Sequence, residues 1–76
     1  MTSENIRAAI LAGTHRVRTY RTLRDRTSYN LEKLNAKHGW LPVTAHANAV
    51  RHAIKGLPHR YDMTLGVVYD SQSLAA

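Results

Sequence analysis

The positions Ile6, Ala9, Ile10, Gly13, Val17 and Tyr20 recur every three or four residues, the spacing of one apolar face on an α-helix. Ser3 is a suitable N-cap, and Glu4 sits in the first turn, where the helix dipole favours negative charge. The pattern predicts a helix from Ser3 to Arg24. An alternative ends that helix at Ala12, with Gly13-Thr14 as its C-cap, and leaves Thr14–Thr22 extended. Thr27-Ser28 then breaks the chain before a second helix, Tyr29–Lys37, which carries Leu31 and Leu34 on one side and stops at His38-Gly39. Trp40-Leu41-Pro42-Val43 reads as an apolar linker tucked against the core. Thr44 caps a third helix, Ala45–Lys55, with Ala47, Val50, Ala53 and Ile54 inward and Arg51, His52 and Lys55 outward. Gly56-Leu57-Pro58 ends it in the usual order.

The period then changes. Tyr61, Met63, Leu65, Val67 and Tyr69 alternate with Asp62, Thr64, Gly66, Val68 and Asp70, which is strand spacing. A lone strand cannot satisfy its backbone. With Thr14–Thr22 assigned to a helix, the segment is expected to stay open until a partner orders it. Ser71–Ala76 is expected to fray. The reading is therefore mainly α: a basic three-helix domain over residues 1–58, followed by a strand-like segment and tail over 59–76. If Thr14–Thr22 is extended instead, the chain is α+β.

Charge changes this picture more than size does. Eleven basic residues against five acidic ones give a net charge of +6, and five of the arginines lie between Arg16 and Arg26 beside one acid, Asp25. Guanidinium groups fork toward carboxylate or phosphate and stack on flat groups, so the cluster points to an anionic partner. On a helix, Arg18, Arg21 and Arg24 would share an arc about 120° wide, with Arg16 and Arg26 outside it. Reversing Arg18 and Arg21 to Glu is then expected to abolish binding and leave stability unchanged.

The chain has no Cys, so disulfides, thiolates and cysteine-based zinc sites are excluded. Its five histidines lack the spacing of helical metal ligands, and no glycine-rich phosphate loop or catalytic motif is present. We expect no metal, no cofactor and no enzymatic activity. No apolar run reaches the length of a membrane span, and the N-terminus is unlike a signal peptide, so a cytoplasmic location is expected. Tyr29–Lys37 and Ala45–Lys55 could form a helix-turn-helix presenting His46, Arg51, His52 and Lys55, although the His38–Val43 linker is long for that motif.

With its Ser3–Leu11 start and Arg16–Arg26 cluster, the chain resembles the small basic regulators, of the Xanthomonas phage type, that bacteriophages make to take over host transcription. That resemblance implies binding to the large subunits of bacterial RNA polymerase, inhibited initiation and altered termination, in the host cytoplasm. Arg16, Arg18, Arg21, Arg24, Arg26, Arg51 and Lys55 are the expected partner-binding residues. A small DNA- or RNA-binding repressor with direct nucleic-acid contact, or an anti-defence inhibitor, is the alternative.

Overall fold

The computed structural model describes residues 1–75. Helix α1 (Ser3–Ala12) leads into strands β1 (His15–Arg21), β2 (Thr27–Asn35) and β3 (Gly39–Val43). Helix α2 (Ala47–Ile54), strands β4 (Arg60–Asp62) and β5 (Gly66–Tyr69), and a short α3 (Ser71–Ala75) follow. The strands form one antiparallel sheet in the order β3-β2-β1-β5-β4. The mainly α, three-helix reading is thereby corrected to α+β.

The long first helix fails at Gly13. This residue lies at φ 85°, and its N–H turns back to the Ala9 and Ile10 carbonyls, closing α1 at Ala12. Thr2, and not Ser3, caps its start by accepting from the Asn5 N–H at 3.2 Å. Beyond Gly13 the β-branched Thr14, Val17, Thr19 and Thr22 favour extension. In β1, His15, Val17 and Thr19 are buried on one face, while Arg16 and Arg18 alternate to the other.

The second predicted helix is strand β2, and the apolar linker is strand β3. Leu31 and Leu34, three residues apart, point to opposite faces of a strand. Gly39 does not end a helix. It lies at φ 75° and closes the β2–β3 hairpin, where the Asn35 side chain accepts from the Lys37 and His38 N–H groups at 2.8 and 2.9 Å. The tail repeats this device. Asp62 accepts from Thr64 and Leu65 N–H groups at 2.8 and 2.9 Å, and Gly66 at φ 88° starts β5. The long alternation over Tyr61–Tyr69 is thus a hairpin and not one strand. It needs no external partner, because Thr19 pairs with Val67 and Val17 with Tyr69.

Helix α2 starts two residues later than expected. The His46 ring, not Thr44, caps it by accepting from the Asn48 N–H at 3.2 Å. Ser71–Ala75 is helical and not frayed, since Asp70 caps α3 by accepting from the Ser73 N–H and hydroxyl, each at 3.0 Å, while the expected fraying at Ala76 lies outside the described residues.

Helices α1 and α2 cover one face of the sheet. Ile6, Ile10, Val50, Ala53, Ile54 and Leu57 pack over Val17 and Leu31 to make the core. Arg7 ties the two helices together by donating to the Lys55 carbonyl at 2.8 Å and the Ala53 carbonyl at 3.3 Å. The outer strands are β3, which contains Pro42, and β4, which is three residues long.

Candidate anion-binding surface

Strand geometry divides the arginine cluster. Arg16 and Arg18 lie on the sheet face away from α1 and α2, opposite Glu32 and Asn30. Glu32 Oε1 lies 2.7 Å from Arg16 Nε and 3.1 Å from Arg18 Nε, and the Arg16 guanidinium stacks 4.4 Å from the centre of the Trp40 ring. Farther along the same face, Arg60 binds Asp70 at 2.9 Å and lies 3.7 Å from Asp62. Three arginines therefore meet three carboxylates, and this face carries no excess charge. Arg16 and Arg18 were expected to form part of a basic docking band; the structure uses them to neutralise Glu32. The expectation that Arg18→Glu leaves stability unchanged is corrected for the same reason, since the new carboxylate would face Glu32.

Backbone N–H bonds from Leu65 and Thr64, joined by Arg60, hold the Asp62 carboxyl below its ordinary range. Burial pushes Asp70 up, but hydrogen bonds from Arg60 and Ser73 outweigh it and leave the pKa lowered. On the helix-covered face, burial and the nearby Lys33 lower the pKa of His15, whose Nδ1 is 2.9 Å from the Thr14 hydroxyl. A lowered histidine pKa means that the unfolded chain takes up the proton first, so stability falls as pH drops below about 6.5. Lowered carboxylate pKa values have the same sign and begin to act as pH approaches 3.8. Acid titration of the melting temperature should therefore show two successive losses, with His15→Gln removing only the first. A melting temperature flat from pH 7 to 5 would contradict the burial of a neutral His15.

The remaining arginines gather at one end of the sheet. Arg21 pairs with Asp25 at 2.8 Å across the β1–β2 turn, where both side chains are largely exposed. That turn closes through the Thr22 N–H donating to the Arg26 carbonyl at 2.8 Å, and Asp25 adopts φ 58°. Arg24 and Arg26 are exposed beside a fully exposed Leu23. Among the described residues, neither makes an ion pair.

A groove of about 440 Å³ runs between this hairpin and the end of α2. Arg51, Lys55 and His59 form one wall, and Thr19, Thr27 and Tyr29 supply hydroxyl groups from the sheet. His59 packs against Tyr69, with ring centres 5.2 Å apart. A second cavity, about 370 Å³, continues from the shared Thr19 and Thr27 to Tyr20, Arg21, Tyr61 and Val67. No carboxylate lines either cavity among the described residues. In a third, of about 400 Å³, the only charged lining groups among the described residues are Arg18 and Glu32, which pair with each other.

Of the expected binding residues, the structure brings Arg21, Arg24, Arg26, Arg51 and Lys55 to one end and sets Arg16 and Arg18 apart. The helix-turn-helix arrangement is absent, because Tyr29–Lys37 lies within β2 and its turn. The histidines are dispersed, and among the described residues no three metal-binding side chains converge. Thr19, Thr27, His59 and Tyr61 were not anticipated, since they meet only through strand pairing. Among the described residues, no helix is long and apolar enough to cross a membrane. No family model matches the chain, and no curated protein or solved structure is significantly similar to it.

Proposed function

We propose that this protein is a non-catalytic docking module that binds bacterial RNA polymerase through the cationic end of its sheet, inhibiting initiation or altering termination. The observation that supports the reading is the uneven distribution of charge. One face is neutralised by Glu32, Asp62 and Asp70, whereas Arg51 and Lys55 line a groove bordered by the β1–β2 hairpin, whose turn carries Arg24 and Arg26, and none of the four has a carboxylate partner among the described residues. Such a surface favours an acidic partner through its encounter rate and its rejection of cationic competitors. The choice of polymerase rests on the resemblance to the phage regulators.

The test is capture from bacterial lysate with tagged protein, with and without nuclease. The large polymerase subunits should be retained after nuclease treatment. They should be lost with Arg24→Glu/Arg26→Glu, whose melting temperature should stay within a few degrees of the parent because both residues are exposed. Loss of every partner on nuclease treatment would replace this reading with direct nucleic-acid binding.

A further inference from the structure

We propose that the groove running from Lys55 to Tyr61 is a binding site for single-stranded nucleic acid. In this assignment phosphates lie on Arg51 and Lys55, and an unpaired base lies on Tyr61. The inference goes beyond polymerase docking and stands or falls separately from it.

The two cavities at this end share Thr19 and Thr27, so they form one elongated trough across the sheet. Its two halves differ chemically. The α2 half presents two permanent cations, an imidazole and hydroxyl groups, all suited to phosphate oxygens. The β4–β5 half is apolar with one largely exposed ring: Tyr61 is 75% exposed and shares a sheet face with Val67 and Thr19, the three being paired across β4, β5 and β1. Exposed rings of this kind cost free energy in water, and a base stacked on one covers it. The juxtaposition of a cationic track with a stacking platform is what a strand with one charge and one flat base per unit requires.

Two other anionic occupants fit less well. Duplex keeps its bases stacked inside, so it would use the cations and leave Tyr61 uncovered. An extended acidic peptide gains much of its affinity by pairing its main chain with a sheet edge. At Thr19 the floor is the middle of β1, which is paired on both sides, with Tyr29 and with Val67, so a peptide lying along the trough finds no edge there.

The experiment uses the purified full chain and measures fluorescence anisotropy of labelled ten-nucleotide oligo(dT) and oligo(U) over a series of salt concentrations. Duplex of the same length and poly-glutamate serve as competitors. Both single strands should bind, at least tenfold tighter than duplex. Tyr61→Ala should weaken binding by roughly tenfold with the salt slope retained, and Tyr61→Phe should restore it, because stacking needs the ring and not the hydroxyl. Arg51→Ala/Lys55→Ala should reduce the log–log salt slope by about 1.4, twice the roughly 0.7 expected per phosphate on a single strand. These positions are exposed, so an unchanged melting temperature accompanies each variant. Duplex bound as tightly as single strands, a silent Tyr61→Ala, poly-glutamate competing as well as oligo(dT), or no binding to either strand would each overturn the assignment. None of these outcomes alters whether polymerase is retained after nuclease, which tests the docking reading.

Discussion

Gly66→Ala is expected to leave much of the protein unfolded at physiological temperature. Gly66 sits at φ 88°, where an L-residue costs roughly 1–2 kcal/mol. A Cβ there would also lie 2.7 Å from the Thr19 carbonyl oxygen. That oxygen belongs to the backbone of the central strand and cannot retreat without disturbing the pairing of Thr19 with Val67 and with Tyr29. Forced overpacking of this kind adds about 1–3 kcal/mol. The sum approaches the few kcal/mol of stability that a domain of this size has to lose. Gly39 and Gly56 provide the control: both have positive φ, but neither would bring a Cβ within 4 Å of anything. Their alanine variants should lose about 1 kcal/mol each, a drop of about 4–8 °C in melting temperature. Thermal denaturation of the three variants side by side tests the ranking. Equal losses would mean that β5 does not approach β1 as closely as described.

Glu32→Ala should be the most damaging change on the polar face. Glu32 is 8% exposed and lies between Arg16 and Arg18, whose side chains are 11% and 26% exposed. Removing it strands two poorly solvated cations beside each other. Breaking a fully buried ion pair costs about 3–5 kcal/mol, and the partial exposure of Arg18 reduces that to about 2–3. The melting temperature should then fall by about 10–20 °C. Asp25→Ala, which removes a pair whose two side chains are 68% and 88% exposed, should change it by only a few degrees. The decisive comparison is the triple variant Arg16→Met/Glu32→Leu/Arg18→Met, which should recover most of the loss of Glu32→Ala because no charge is left unpaired. If that triple variant is no better than Glu32→Ala, the cost lies in packing and not in stranded charge.

Much of the sequence-based reading fails in this same region. Two helix boundaries are legible: α1 begins at Ser3, and Gly56 marks the close of α2 to within one residue. The period-2 pattern after Pro58 also signals extension, although it does not reveal the turn at Asp62–Gly66. Residues 15–35 mislead because polar groups occupy buried positions. His15 and Thr19 share the inner face of β1 with Val17, and Glu32 is buried on the outer face of β2. With these scored as surface, the remaining apolar residues fall three and four apart and imitate a helix. The arginines mislead for a related reason. Their partners lie on other strands, Arg16 with Glu32 and Arg60 with Asp70, so pairing is invisible along the chain. Arg51 and Lys55 remain legible as an outward-facing pair, since four residues always share a helix face.

The two outer strands bear on how this protein behaves at high concentration. A sheet margin is a row of hydrogen-bonding groups that recruits further strands and so seeds aggregation. Here β3 loses a donor at Pro42, and β4 ends after three residues, with charged Arg60 and Asp62 at its limits. Each of these two strands is therefore a poor template for a further strand. Edge-to-edge fusion through either strand is thereby disfavoured as this small, disulfide-free domain is concentrated.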